Sequence, residues 1–161
     1  MAGLVVVQTP GNTVPINSVS NLQANGSVAG NGIQVYGGSS LTLRGSETQG
    51  NSQSGINVQT YVDGATKSDD MSNIDLGTAA SAGGNTFQFA TGAMPNAGAG
   101  ICLDLTPSAA QTLNAAGNTF EAANCATAAD TLVKGTACTG GVDYAITGPA
   151  TTNKIVLTKC M

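Results

Sequence analysis

The residues of this sequence that could do chemistry are a few carboxylates and one arginine. Arg44 stands three residues before Glu47, so these two side chains could face each other. A surface ion pair, worth about 0–1 kcal/mol, is the favoured interpretation of this spacing. Asp104 lies between two leucines and is the best single candidate for one of the paired carboxylates of an inverting glycosidase. An outward surface carboxylate is again the favoured interpretation.

Four aspartates could supply the oxygen ligands that Ca²⁺ prefers. They are Asp63, Asp69, Asp70 and Asp75. Their spacing fits no EF-hand loop, and the sequence contains no glycine–aspartate nonapeptide repeat. A solvated loop is therefore favoured over a metal site. We expect no cofactor, with calcium as the alternative.

The absence of histidine removes the side chain that most often acts as a general base. Because both kinds of nucleophilic site need an imidazole, Ser-His-Asp and Cys-His chemistry are excluded. Tyr36 and Tyr61 could stack on sugar rings, but two tyrosines without companions make a weak carbohydrate platform. The sequence therefore favours a protein without a catalytic site. If the protein is an enzyme, we expect a polysaccharide lyase or a glycoside hydrolase.

The charge pattern excludes two classes of partner. Only 9% of the residues are charged, against about 25% in an average soluble domain. The five basic residues are scattered along the chain and form no patch, which argues against a nucleic-acid partner. No apolar stretch reaches the roughly 18 residues that a transmembrane helix needs, so we expect no membrane span.

The four cysteines all lie in the C-terminal part of the chain. They are Cys102, Cys125, Cys138 and Cys160. An even number in a polar, threonine-rich chain favours two disulfides and an oxidising compartment, although free thiols or a zinc site stay open. Three pairings are possible, and Cys125–Cys138 is favoured because it closes the shortest loop.

Short motifs repeat along the chain. Residues 30–35 return as residues 53–58, which places Ile33 and Ile56 one period of 23 residues apart, and a third copy lies at 98–105. Apolar residues alternate with polar or small ones inside each copy, and this period of two is typical of strands. Glycine-rich steps separate the strands, where tight corners need residues that tolerate positive φ.

These repeats predict an all-β fold, a single-stranded right-handed parallel β-helix in which Ile33, Ile56 and Ile101 stack inward. Residues 1–123 are predicted to form its coils. Residues 124–161 are predicted to form a disulfide-stapled C-terminal cap of the same domain. The charged segment 60–72 is predicted to project as a loop. A ladder of asparagines at one corner is expected from Asn31, Asn51, Asn85 and Asn118.

The segment GNGIQVYGGSSLTLRGSETQGNSQSGINV (30–58), with GGNTFQ (83–88) and AGNTFEA (116–122), resembles the coils of pectate-lyase-like parallel β-helix proteins. It is most similar to exported β-helix proteins of Gram-negative bacteria, which implies a secreted or cell-surface protein. Polysaccharide lyases of this fold use Ca²⁺ held by carboxylates and an arginine or lysine base. Arg44 would be that base, but the clustered aspartates of successive coils have no match here. The architecture hosts enzymes and adhesins alike.

We therefore expect a non-catalytic exported protein with a structural, surface or adhesive role, and a polysaccharide-binding or polysaccharide-cleaving module as the alternative. The N-terminal residues 3–8 form an apolar run without charge. Such a run is expected to pair end to end with another copy, or to mark missing upstream coils, because an uncovered edge strand offers free backbone groups. A simple cap formed by residues 1–16 is the remaining alternative.

Overall fold

The computed structural model describes residues 1–9, 17–87, 95–106, 109–120, 134–139, 142–147 and 154–156. All of its described regular elements are β-strands. These strands are β1 (Leu4–Val6), β2 (Ser18–Ser20), β3 (Ile33–Tyr36), β4 (Leu41–Arg44), β5 (Ile56–Gln59), β6 (Tyr61–Asp63), β7 (Thr66–Ser68), β8 (Ile74–Asp75), β9 (Ile101–Asp104), β10 (Thr112–Asn114), β11 (Lys134–Gly135), β12 (Tyr144–Thr147) and β13 (Lys154–Val156).

Alternation of apolar and polar residues explains why the longer strands form. In β4, Leu41 and Leu43 are fully buried, while Thr42 and Arg44 between and after them are partly exposed. β5 follows the same pattern. The corner between β3 and β4 uses Gly38 at a φ of 83°. A side chain there would be strained, because only glycine adopts this backbone conformation freely.

The strands form two parallel sheets that the chain visits alternately. One sheet has the order β1-β3-β5-β9-β12-β11, and the other has the order β13-β10-β8-β4-β2. The pair β6 and β7 makes a separate antiparallel hairpin. One hydrophobic core contains inward side chains from both parallel sheets, including Leu43 and Leu113 from the second.

Register in the first sheet confirms the predicted isoleucine stack. Ile33 pairs with Ile56, and Ile56 pairs with Ile101. All three side chains are fully buried. Tyr144 continues the same line on β12.

The prediction of a single-stranded right-handed parallel β-helix with a disulfide-stapled C-terminal cap is wrong. The described strands belong to two separate parallel sheets and a small antiparallel one. β12 and β13 add strands to the two sheets beside β9 and β10, so these C-terminal strands continue the sheets. The sequence repeats identify strands that become neighbours, but they do not contain the geometry that joins one sheet to the next. The expected boundary between residues 123 and 124 lies outside the described residues.

The segment predicted as a projecting loop contains the β6–β7 hairpin. Val62 pairs with Lys67, and Asp63 pairs with Thr66 across a two-residue turn. Gly64 begins this turn at a φ of 57°, and Ala65 is not at positive φ. This combination is typical of a type II′ turn, whose twist matches that of the flanking strands.

We predict that Ile56→Ala lowers the free energy of unfolding by about 2–5 kcal/mol, because the truncation leaves a cavity in the middle of the isoleucine stack. Urea denaturation followed by circular dichroism would measure it. Val62→Ala is the control, since Val62 is exposed on the hairpin and its truncation is expected to change stability by about 0.5 kcal/mol or less. Equal losses from the two variants would contradict the stacking of Ile56.

Candidate functional site

The arginine singled out in the sequence binds a different carboxylate from the expected one. Arg44 Nη2 donates to Asp75 Oδ2 at 2.6 Å, and Arg44 Nη1 donates to the Asp75 carbonyl oxygen at 3.1 Å. The pair forms because β4 and β8 are adjacent, with Thr42 opposite Asp75. The expected pair between Arg44 and Glu47 is therefore wrong. Arg44 and Asp75 thus form an ion pair, and both side chains keep some solvent contact.

Glu47 makes a different set of contacts. Its Oε1 atom accepts hydrogen bonds from Asn25 Nδ2 at 3.0 Å and from Gln49 Nε2 at 2.6 Å. Glu47 also lies in a line of parallel bridges with Gln23 and Thr86. This carboxylate links two neighbouring passes of the chain.

Asp104 is an exposed residue at the end of β9. Its Oδ1 atom accepts a hydrogen bond from Thr147 Oγ1 at 2.8 Å. Its register neighbours are Gln59 on one side and Thr147 on the other. Because neither neighbour is a carboxylate, the strands beside Asp104 do not supply the second acid that an inverting glycosidase needs.

The two tyrosines lie on different elements. Tyr61 is buried at the start of the hairpin, where its hydroxyl donates to Asp63 Oδ2 at 3.3 Å. Tyr36 is partly exposed at the end of β3, opposite Gln59. Of these two candidate tyrosines, only Tyr36 is exposed enough to stack on a ligand.

The structure does not gather the four aspartates into one site. Asp63 is bound by Tyr61, Asp75 by Arg44, and Asp70 Oδ1 accepts from the Ser72 backbone N–H at 2.8 Å. Asp69 has an interaction of its own. Within the described ranges, no group of three or more histidine, cysteine, aspartate or glutamate side chains could hold a metal ion.

Sequence reasoning missed a row of amides on the outward side of the first sheet. Gln34 pairs with Asn57 in register, and Gln34 Nε2 donates to Gln59 Oε1 at 3.4 Å. Gln34 Oε1 accepts from Asn31 Nδ2 at 2.9 Å. Asn57 Oδ1 is buried and lacks a hydrogen-bond partner within the described part of the chain. The sequence contains a signal for this row, because Gln34 and Asn57 each directly follow one of the repeated isoleucines that face the core.

Among the described residues, four of the five buried asparagines form two separate pairs instead of the expected single ladder, and Asn31 donates to Gln34. Asn85 Nδ2 donates to Asn118 Oδ1 at 2.9 Å, and Asn51 Nδ2 donates to Asn96 Oδ1 at 2.8 Å. Asn96, which sequence reasoning missed, also donates to the carbonyl oxygens of Thr48 and Phe87. Because each amide satisfies buried backbone groups at a corner, these asparagines are structural.

The predicted pairing of Cys125 with Cys138 is wrong, because Cys138 forms a disulfide with Cys102. Cys102 is fully buried on β9, and the backbone N–H of Ala99 donates to the Cys138 carbonyl oxygen at 3.0 Å. This hydrogen bond places the two cysteines side by side, a proximity that loop length alone does not report. Cys125 and Cys160 lie outside the described residues.

Comparison with known proteins found no matching family model, no similar curated protein and no similar solved structure. Across the described residues, no helix is long and apolar enough to cross a membrane. The Cys102–Cys138 disulfide points to an oxidising, extracytoplasmic environment.

We predict that replacing both Cys102 and Cys138 with alanine lowers the free energy of unfolding by about 3–4 kcal/mol, because their disulfide closes a loop with a sequence separation of 36 residues. Urea denaturation without reductant would measure the loss. Adding reductant should reduce the difference in free energy of unfolding between the wild-type protein and the variant, because it breaks the disulfide of the wild-type protein. Thiol labelling of Cys102 in unreduced, denatured wild-type protein would contradict the pairing.

Proposed function

We propose that this protein is a non-catalytic, exported β-protein with a structural, cell-surface or adhesive role, and that it associates with other copies of itself through the edges of its parallel sheets. The observation that carries the proposal is the N-terminal side of the two sheets. β1 and β2 are the outer strands there, and among the described residues each has a hydrogen-bonded neighbour on one side only.

Most of the exposed large apolar side chains among the described residues lie within the first 28 positions of the chain. Val5, Val7 and Val28 are 51%, 58% and 94% exposed. An edge strand with apolar neighbours is a template for another strand, and natural proteins usually protect such edges with charge. Exposed apolar side chains that form a contiguous patch commonly mark an interaction surface.

The use of the polar residues supports the non-catalytic part of the proposal. Arg44 binds Asp75, and Thr147 binds Asp104. In both cases a charged residue links adjacent strands of one sheet. These contacts between strands explain the positions of Arg44 and Asp104 without a substrate.

Export is supported by the disulfide, because disulfides persist in oxidising compartments outside the cytoplasm. The resemblance of residues 30–58 to exported bacterial coils is the reason to propose a bacterial secreted or cell-surface protein. The low content of charged residues is compatible with a protein that binds a surface or other copies of itself.

We predict that the protein self-associates as its concentration rises and that Val5→Lys weakens this association. Val5 is the suitable position because it is half-exposed on β1, whereas Val6 faces the core and a lysine there would unfold the strand. Light scattering after size exclusion would give the mass across a concentration series, relative to 15.8 kDa for one chain. A single chain at every concentration, unaffected by the added charge, would refute self-association.

A second candidate, polysaccharide binding, is favoured by the outward amide row of the first sheet. Two positions further along these strands, on the same face, Tyr36 lies beside Gln59 and Gln59 lies beside Asp104. Amide, carboxylate and aromatic side chains are the groups that commonly orient a ligand in a binding site. The orphaned Oδ1 atom of Asn57 would accept a hydrogen bond from a hydroxyl group that reached it.

We predict no cleavage of acidic polysaccharides, because Arg44 is engaged by Asp75 and Asp104 has no carboxylate as a register neighbour. Incubation with polygalacturonate or alginate in calcium buffer, followed by ultraviolet absorbance and reducing-end assays, would test this. Calcium-dependent turnover that Arg44→Ala abolishes would overturn it. Retention on the immobilised polysaccharides that Tyr36→Ala abolishes and Val62→Ala leaves unchanged would instead support the second candidate.

A further inference from the structure

We infer that the Cys102–Cys138 disulfide is a redox latch. It holds a short segment, residues 136–139, over the outward face of the first sheet, and we call this segment the strap. A dithiol reductant releases the strap while the rest of the fold stays in place. The latch is independent of the self-association proposed above. Its basis is that the two segments joined by the disulfide differ in how firmly they are held.

Cys102 lies on a strand that is firmly held. β9 is an inner strand of the first sheet, paired with β5 on one side and with β12 on the other. Ile101 and Leu103, the neighbours of Cys102 in the chain, are fully buried in the main hydrophobic core. Because side chains alternate between the two faces of a strand, Cys102 points to the outward face. Movement of β9 would disrupt the core, so β9 stays in place when the disulfide breaks.

The strap is held less firmly than β9. Three of its four residues are exposed, and only Cys138 is partly buried. The Cys138 carbonyl oxygen accepts hydrogen bonds from the Ala99 N–H at 3.0 Å and from Ser54 Oγ at 3.4 Å. Thr139 forms an isolated bridge with Gly98. Since the described contacts of the strap include so little apolar burial, the disulfide is its main connection to the first sheet.

The strap covers a small apolar cluster that is separate from the main core. Ala99, Cys102 and Ala145 are fully buried in this cluster, and Cys138 and Val142 pack against them. The three buried side chains are small, and the free-energy cost of exposing them is modest because it scales with apolar area. Release of the strap is therefore a local opening that leaves the isoleucine stack of the main core intact.

Cys138 is the cysteine that a reductant reaches. It is partly exposed, whereas Cys102 is fully buried. A thiolate of the dithiol attacks Cys138 Sγ, the bond between the two cysteine sulfurs breaks, and Cys102 leaves with the electron pair and takes up a proton. The second thiol of the reductant then attacks the mixed disulfide and releases Cys138, which is also protonated. Overall, two electrons and two protons pass from the dithiol to the protein, and the dithiol becomes a disulfide.

The experiment compares the oxidised protein, the protein reduced with dithiothreitol, and the Cys102→Ala, Cys138→Ala double variant. NMR hydrogen exchange follows two amides: that of Ala99, which donates to Cys138, and that of Ile33, which donates to the Gly55 carbonyl oxygen. The ratio of the Ala99 rate to the Ile33 rate is expected to rise at least about tenfold in the reduced protein and in the variant, because the strap then opens without global unfolding. Reoxidation of the wild-type protein should restore the ratio.

Thiol labelling provides a second measurement. A short pulse of iodoacetamide on the reduced, folded protein is expected to alkylate Cys102 as readily as Cys138, because the open strap exposes both thiols. Peptide mass spectrometry would assign each label. Ser54→Ala is the matched control, since it removes a hydrogen bond to the strap and keeps the disulfide. Its exchange ratio is expected to equal that of the oxidised wild-type protein.

Three results would overturn the latch. Cys102 that stays unlabelled after reduction, with an unchanged exchange ratio, would show that the strap remains closed without the disulfide. Loss of the β-sheet circular dichroism signal in the double variant would show that the disulfide holds the whole fold together. A raised exchange ratio in Ser54→Ala with the disulfide intact would show that hydrogen bonds, and not the disulfide, keep the strap closed.

Discussion

In-register parallel pairing of short strands is the interaction on which the rest of this structure depends. Ile33, Ile56 and Ile101 meet because each strand lies beside the next at the same register, about 4.8 Å away. A slip of one residue would turn every inward side chain of a strand to the outward face. No single pass of the chain could bury its own apolar residues, so each pass relies on its neighbours to complete the core.

The same register determines which polar side chains lie next to each other on adjacent strands. Arg44 meets Asp75, and Asp104 meets Thr147, because the strands that carry them are adjacent and aligned. At the corners, Asn85 and Asn51 satisfy buried backbone groups with the help of a second asparagine. Most of the chemically capable side chains thus serve the fold itself. This use of polar residues is one reason why we propose a structural or surface role.

Each of the two parallel sheets has an outer strand on each side. The side chains on these outer strands are the basis for the function that we propose. The outer strands near the N-terminus, β1 and β2, contain no charged side chain, and Val5 on β1 is half-exposed. The Cys102–Cys138 disulfide adds a covalent link between β9 and the later part of the chain. Self-association by strand addition at the N-terminal edges is the role that we propose for this fold.

The sequence by itself determined the all-β character, the strands around Ile33, Ile56 and Ile101 and the equivalence of residues 83–87 with 116–120, because period-two alternation and repetition are local properties. Only the tertiary structure decided which residues pair with each other. Arg44 and Asp75 are 31 residues apart in the chain, with β5 and the β6–β7 hairpin between their strands, so no local spacing could pair them. Cys138 lies beside Cys102 because its carbonyl oxygen accepts a hydrogen bond from the backbone N–H of Ala99. The division into two sheets depends on the geometry of the corners, which the periodicity of the residues does not contain.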